Sequence, residues 1–106
     1  MRPIEVSTSG VSTSAVIPVD LGPATHIGLQ VEVTGAATYT VEYTFDDIWD
    51  SAFNPATAAW DDHSTLVGLS ANAVGNLAFP PRGVRLNQTA GVGSAVLRYV
   101  QTGPDA

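Results

Sequence analysis

Apolar and polar residues alternate strictly along two neighbouring stretches of the chain, between residues 26 and 46. Successive side chains of an extended strand point to opposite faces, so a period of two gives one apolar and one polar face. The apolar positions are Ile27, Leu29, Val31 and Val33 in the first stretch and Tyr39, Val41, Tyr43 and Phe45 in the second. The break between them contains Gly35, which can adopt the positive φ that tight hairpins need. The pattern predicts an amphipathic β-hairpin packed on an apolar core.

Shorter stretches predict further strands on either side of this hairpin. They cover residues 15–20, 66–69, 77–79, 82–89 and 94–101. Pro18 cannot donate to a ladder and places the first of them at an edge, whereas apolar residues on both faces favour a central position for the last. Val84 and Leu86 are predicted to point inward. About seven short strands separated by turn residues predict an all-β fold, either an antiparallel β-sandwich or a small barrel.

Residues 1–14 precede these strands and contain a near-repeat, in which Val6-Ser-Thr-Ser-Gly10 is followed by Val11-Ser-Thr-Ser-Ala15. Two interpretations of this N-terminal arm stay open. It is either a flexible tail or an extended segment that adds a strand to a sheet edge on a neighbouring subunit through main-chain hydrogen bonds. Residues 15–102 are then predicted to be a single β-sandwich domain, and residues 103–106 a short C-terminal tail.

The alternation stops over residues 47–64, where Asn54-Pro55 provides a turn signal and a start for one helical turn. Loops of this length in compact domains are usually functional or disordered, and the aromatic content here indicates an ordered loop. The region holds the aromatic residues Trp49, Phe53 and Trp60 and, together with the boundary residue Asp46, the acidic residues Asp47, Asp50, Asp61 and Asp62. The aromatic side chains either fold back over one end of the sandwich or act as exposed anchors within an acidic rim.

Composition narrows the classes of partner. A chain of 106 residues corresponds to one domain, with a net charge of −6 and no lysine. Its cations are Arg2, Arg82, Arg85 and Arg98. Binding to nucleic acid needs many cationic contacts to phosphate, and binding to an anionic membrane surface is disfavoured for the same reason, so neither partner is expected. Cysteine, an apolar leader and a stretch long enough to span a membrane are all absent, so we expect a soluble protein made in a cytoplasm.

Residue types used in catalysis and metal binding occur, but their spacing supports neither role. The acidic loop residues offer oxygen ligands of the kind calcium takes, yet they lack the spacing of a calcium loop and its distal glutamate. His63 lies beside Asp62, but neighbouring residues rarely meet in triad geometry, and the sequence around Ser70 departs from the Gly-x-Ser-x-Gly elbow. His26 and His63 make no zinc motif. The sequence therefore predicts no catalytic residue, no metal site and no cofactor.

Four short motifs resemble small proteins encoded among the head genes of tailed bacteriophages. They are Val41-Glu-Tyr43-Thr-Phe45-Asp46-Asp47, Gly75-Asn76-Leu77-Ala78-Phe79-Pro80, Val84-Arg85-Leu86-Asn87 and Gly93-Ser94-Ala95-Val96-Leu97. Some such proteins are capsid decoration (cement) proteins, small β-rich modules that clamp neighbouring capsomers from outside the shell, often as trimers. Others belong to the head–tail or tail assembly. The resemblance implies a structural virion protein without catalytic residues, bound as a homo-oligomer, with a trimer favoured, to the major capsid protein on the outer capsid surface.

Two hypotheses for function follow. In the first, the protein decorates and stabilises a capsid by contact alone, with several weak contacts combined through multivalency. The residues expected to contact partners are Trp49, Phe53, Trp60, Asp61, Asp62, Arg82, Arg85, Val6 and Val11, with the arginines reaching acids of a neighbouring subunit. In the second, the chain is a ligand- or glycan-binding module of a phage tail or head–tail assembly, with Trp49 or Trp60 stacking on a sugar and the aspartates binding hydroxyls.

Overall fold

The computed structural model describes residues 2–19, 26–77 and 81–102, and within these residues it contains nine strands and no helix. The strands are β1 (Arg2–Ser9), β2 (Ser12–Thr13), β3 (Ile17–Pro18), β4 (His26–Thr34), β5 (Thr38–Thr44), β6 (Trp60–Asp62), β7 (Ala73–Leu77), β8 (Gly83–Ala90) and β9 (Ser94–Thr102). They form two antiparallel sheets packed face to face. The prediction of an all-β antiparallel sandwich is confirmed.

The strand order of each sheet shows which strands lie at the two sides of the sandwich. Sheet A has the order β1-β9-β4-β7, and sheet B has the order β2-β8-β5-β6, with β3 also pairing with β8. A hydrogen bond from Thr8 of β1 to Gln88 of β8 joins the sheets on one side, and one between His63, next to β6, and Asn76 of β7 joins them on the other. β9 lies between β1 and β4, which confirms its predicted central position.

The predicted hairpin of residues 26–46 is wrong in its pairing. Both strands form, but β4 pairs with β9 and β7 in sheet A, whereas β5 pairs with β8 and β6 in sheet B. The link between them crosses between the sheets and packs against the β8–β9 link, where Gly93 N donates to Ala36 O at 2.7 Å. A Cβ on Gly93 would lie 2.3 Å from Thr34 O, so a side chain there would block this close approach. Alternation thus specified the buried face of each strand but not its partner.

Most of the predicted N-terminal arm belongs to the domain itself. β1 pairs with β9 along its whole length, and β2 pairs with β8 of the same chain. Ile4 and Val6 pack against the core, and Thr8 is buried between the sheets, where its Oγ1 donates to Gln88 Oε1 at 2.8 Å. The prediction of a separate arm is therefore corrected for residues 2–13, which belong to the two sheets of the domain. Their inward alternation of Ile4, Val6 and Thr8 was obscured by the serine and threonine content of the segment.

The core lies between the inner faces of β4 and β9 on one side and β5 and β8 on the other. Its large buried apolar side chains are Ile17, Ile27, Leu29, Val31, Tyr39, Val41, Leu66, Val84, Leu86, Leu97 and Tyr99. Each such burial contributes about 1.5–3 kcal/mol, and Val84 and Leu86 point inward as predicted. Phe45, the last residue of the alternating pattern, is instead 54% exposed because β5 ends at Thr44.

Three other predicted strands differ from the observed ones. Residues 15–20 contribute only the two residues of β3, and residues 66–69 form no strand, although Leu69 makes a single bridge to Tyr39. The strand predicted at 77–79 is β7, which begins earlier, at Ala73. Residues 78–79 of that prediction, the first strand's Asp20 and the predicted tail at 103–106 lie outside the described residues.

Candidate functional site

The loop between β5 and β6, residues 45–59, takes its shape from side chains that accept backbone hydrogen bonds two residues ahead. Asp47 Oδ1 accepts from Trp49 N at 3.0 Å, Asp50 Oδ1 from Ala52 N at 2.9 Å, and Asn54 Oδ1 from Ala56 N at 2.9 Å. Such Asx turns mimic backbone turns and explain why aspartate and asparagine recur here. Asn54 O also accepts from Ala58 N at 2.9 Å, which gives a single helical turn at the predicted place.

A second set of bonds closes the two ends of this loop on each other. Asp46 Oδ2 accepts from Ala59 N at 2.9 Å, and Thr44 Oγ1 donates to Ala59 O at 2.8 Å. Arg82 N donates to Thr44 O at 2.8 Å, which ties the exit from β5 to the start of β8. The loop is therefore ordered, as predicted, and its backbone is held by its own side chains.

The loop aromatics Trp49, Phe53 and Trp60 have different surroundings. Some fold back on the domain and one is exposed, so the two interpretations given above apply to different residues. Trp60 is partly buried, with Arg85 Cζ 4.0 Å from its ring centroid and its Nε1 donating to Pro55 O at 2.9 Å. Phe53 is also partly buried, at the wall of an open cleft. Trp49 is 77% exposed. Trp60 thus folds back on the sheet, and Trp49 is the most exposed of these three aromatics.

Arg85 holds Trp60 in place and is itself held by Glu42. The Arg85 Nε–Glu42 Oε1 distance is 2.7 Å, and both side chains are largely buried, at 14% and 12% exposure. Glu42 Oε2 also accepts from Asn87 Nδ2 at 3.3 Å, and Arg85 Nη1 donates to Pro55 O at 3.3 Å. Glu42 and Arg85 are opposite each other in the β5–β8 register. Sequence reasoning missed this pair because the partner of β5 was not known.

An open cleft of about 290 Å³ lies within the loop. It is lined by Asp46, Asp47, Asp50, Ala52, Phe53, Asn54, Thr57 and Ala58. The three carboxylates already accept backbone hydrogen bonds, as described above. Among the described residues, no group of three or more His, Asp or Glu side chains is arranged to hold a metal ion. The acids therefore shape the loop and give it negative charge.

The described arginine side chains pair with acids of their own chain, and their pairing with a neighbouring subunit's acids stays a prediction. Arg85 pairs with Glu42; Arg98 contacts both Glu5, at 3.1 Å, and Glu32. Arg82 Nη1 lies 3.7 Å from Asp47 Oδ2, with both side chains about half exposed, so this pair contributes little to stability. Asp61 and Asp62 are exposed on β6, and no hydrogen bond or ion pair to their carboxylates is found in the described part of the chain.

His63, considered above as a catalytic candidate, is a buried link between the two sheets. Its Nδ1 accepts from Thr65 N and Leu66 N, each at 3.1 Å, which leaves Nε2 to donate to Asn76 O at 2.7 Å. Both ring nitrogens are occupied, and Asp62 beside it is exposed. No sequence signal indicated this role, because it depends on β6 lying opposite β7.

The valines predicted as partner contacts differ in exposure. Val6 is partly buried against the core from β1, whereas Val11, in the turn between β1 and β2, is 70% exposed. The candidate surface that combines an exposed aromatic with unpaired acids is therefore the region of residues 45–62, which we call the aromatic–acidic loop.

Comparison of the chain with family models, curated proteins and solved structures finds no match. In the described part of the chain, no helix is long and apolar enough to cross a membrane. Inference about function therefore rests on the geometry of the aromatic–acidic loop and on the resemblance of the short motifs.

Proposed function

We propose that this protein is a structural virion protein that decorates a bacteriophage capsid and stabilises it by binding between capsid subunits. The observation that carries the proposal is Trp49, which is 77% exposed on a loop whose backbone is held in place by hydrogen bonds. The resemblance of the head-gene motifs supplies the biological setting, on the outer surface of the virion with the major capsid protein as partner.

Two properties of the aromatic–acidic loop support a docking role. Tryptophan is enriched among the residues that dominate interface energetics, and a loop that is already ordered loses less conformational entropy when it binds. The backbone of Trp49 lies in a turn closed by Asp47, so the point from which its side chain projects is set before a partner arrives. A contact surface of this kind needs neither a cofactor nor a reaction.

The charge of the loop defines the partner's surface. Asp50, Asp61 and Asp62 are exposed, and the described arginine side chains near them are occupied by Asp47 and Glu42. Complementarity therefore favours a cationic partner surface with an apolar socket for Trp49. A second copy of this acidic chain does not match that description, so the loop faces a different protein.

A role by contact and not by turnover is supported by the buried polar groups. Both nitrogens of His63 are engaged in structural hydrogen bonds. Every buried side-chain nitrogen and oxygen of the described residues has a hydrogen-bond partner.

The test is co-sedimentation of the purified protein with emptied or expanded phage heads. We expect saturable binding, and we expect Trp49→Ala to weaken it at least tenfold, since loss of an anchor residue typically costs more than about 2 kcal/mol. The matched control is Val92→Ala, another apolar side chain that is 92% exposed, in the β8–β9 link. Equal loss in both variants, or failure of the parent protein to bind heads, contradicts the proposal.

The second candidate is a glycan-binding module of a tail or head–tail assembly, and the same exposed Trp49 favours it, because an open indole face can stack on a sugar. Trp60 is less suited, since Arg85 covers one face and its Nε1 is bonded to Pro55 O. Quenching of Trp49 fluorescence by an oligosaccharide, without binding to heads, would replace the first proposal with this one.

A further inference from the structure

The outermost strand of sheet A, β1, leaves one side of its main chain without a partner in the described part of the chain. β1 pairs with β9 in an unbroken register. One step beyond the last pair, Gly10 N donates to Gly93 O at 2.9 Å. Because the direction of the hydrogen bonds alternates along an antiparallel strand, even-numbered residues of β1 bond to β9. The main-chain groups of Pro3, Glu5 and Ser7 therefore point away from the sheet.

This edge lacks most of the usual protection. Natural proteins guard exposed edges with lysine, bulges, inward-pointing charges or proline. β1 contains no lysine and no register shift, and its inward side chains Ile4, Val6 and Thr8 are uncharged. Pro3 has no N–H to donate at the outer edge, so it protects only the start of the strand. From Glu5 to Ser7 the edge is open to another strand.

The acid of this edge is paired with a cation, although the protein as a whole is acidic. The acid on β1 is Glu5, and Arg98 Nε lies 3.1 Å from its Oε2. Arg98 also bonds Glu32, whose hydrogen bond and charge, together with those of Glu5, raise the pKa of the guanidinium, so the cation is permanent. A second copy meets less electrostatic repulsion here than at the aromatic–acidic loop.

We propose that β1 pairs in antiparallel fashion with β1 of a second copy, with Val6 on the twofold axis. In this register Glu5 lies opposite Ser7 of the second copy, and the two residues exchange both main-chain hydrogen bonds. Ile4 lies opposite Thr8 of the second copy, and the two half-buried Val6 side chains meet at the axis. The sheets A of both copies then form one continuous sheet.

Neighbouring registers are less favourable for reasons visible in the sequence of β1. A shift that places Glu5 on the axis sets two like charges directly opposite each other, which destabilises a strand pair. A shift that places Ser7 on the axis leaves Pro3 and Ile4 outside the ladder and shortens it. Because a twofold contact of this kind closes on itself, the product is a dimer and not the trimer that the phage-protein resemblance implies.

The first experiment measures the mass of the full chain by sedimentation equilibrium over a range of concentrations. We expect the mass to rise from 11.0 kDa towards twice that value. A chain that stays monomeric at about 1 mM, the weak limit of specific association, overturns the proposal and leaves the edge to a strand of another protein. A trimer also overturns it.

Substitutions at Ser7 test the register. In the proposed pairing, Ser7→Lys faces Glu5 of the second copy and strengthens the dimer, whereas Ser7→Glu faces the same carboxylate and weakens it. Each shift is expected to be about three- to tenfold in Kd, since the contact occurs twice. The controls are Ser70→Lys and Ser70→Glu, which make the same changes in net charge at an exposed site away from β1. Shifts of the same sign in both Ser7 variants overturn the proposed register.

A third substitution tests the use of the main chain. Ser7→Pro removes an N–H that points away from β9, so we expect loss of the dimer while the circular dichroism spectrum and the melting temperature stay close to those of the parent. A dimer that survives this substitution overturns the proposal. If the proline variant fails to fold, the paired lysine and glutamate variants still decide.

Discussion

The aromatic–acidic loop and the free edge of β1 expose different groups to a partner, side chains in the loop and main-chain groups at the edge. In the loop, the side chains of Asp46, Asp47 and Asp50 accept backbone N–H groups, and the aromatic side chains of Phe45 and Trp49 remain exposed together with negative charge. At the edge of β1, the side chains are small or neutralised, and what remains is main chain. A surface of side chains selects a partner of a particular composition, whereas a surface of main chain accepts a strand, including a copy of itself.

The two surfaces also lie on opposite sides of the sandwich, and a different polar link joins the sheets on each side. Near β1 the link is Thr8 to Gln88, and Gln88 Nε2 also donates to carbonyls of the β8–β9 link, including Gly93 O at 3.1 Å. Near β6 the link is His63 to Asn76. We therefore expect a substitution that removes the link on one side to leave the surface on the other side intact. A substitution that unfolds the shared core should remove both surfaces.

The largest effect is expected from a charge in that shared core. Val41 is fully buried on β5, so Val41→Asp places a carboxylate without a partner among apolar side chains and should unfold the domain. Both surfaces should be lost together, as measured by circular dichroism and head binding. Val92→Asp, at a site that is 92% exposed, should fold normally. A well-folded Val41→Asp protein would mean that the inner face of β5 is assigned wrongly.

Next in size is the loss of the link on the β6 side. His63→Ala leaves Leu66 N and Asn76 O without their side-chain partner and opens a space beside Leu66 and Gly75, so we expect a loss of about 2–4 kcal/mol. Amide exchange should quicken in β6 and β7 while β1 keeps its protection. The adjacent exposed residue provides the control, since Asp62→Ala should change stability by less than about 0.5 kcal/mol. Faster exchange in β1 as well would show that the two sides are not independent.

A pair of arginine variants, the second with the smallest effect on stability, separates the two surfaces. Arg85→Ala leaves Glu42 largely buried without its cation and uncovers Trp60, so we expect a loss of about 3 kcal/mol, a red shift of tryptophan emission and weaker head binding. The Arg98 side chain is 42% exposed, so Arg98→Ala should cost little stability, leave emission unchanged and weaken the β1 dimer through the uncompensated Glu5. Weaker head binding in the Arg98 variant, or a weaker dimer in the Arg85 variant, would show that the two surfaces are not independent.

Local pattern was enough to predict the fold class and most of the core. The period of two placed Ile27, Leu29, Val31 and Val41 inward, and they are buried. It failed for the pairing of β4 with β5, because alternation defines which face of a strand is buried and says nothing about whether the next strand joins the same sheet. It also failed for β1, where short polar residues surround Ile4 and Val6 and long-range pairing with β9 supplies the order.

The candidate site was predictable in part. Turn residues and aromatics located the aromatic–acidic loop, and the Asx turns at Asp47, Asp50 and Asn54 follow from local chemistry. The split between Trp60, which is covered, and Trp49, which is exposed, was not predictable, because it depends on Arg85 lying opposite Glu42 across two strands that are distant in sequence.

The links that cross between the sheets also govern how the fold can assemble in time. In the described part of the chain, neither β4 with β5 nor β8 with β9 forms a local hairpin, and β1 finds its partner only in β9, across most of the chain. Topologies dominated by such distant pairings fold slowly, on the scale of milliseconds to seconds. β9 bonds to both β1 and β4, so sheet A cannot close until β9 has been synthesised. We therefore expect the domain to fold late, with β9 as the strand that locks β1 and β4 together.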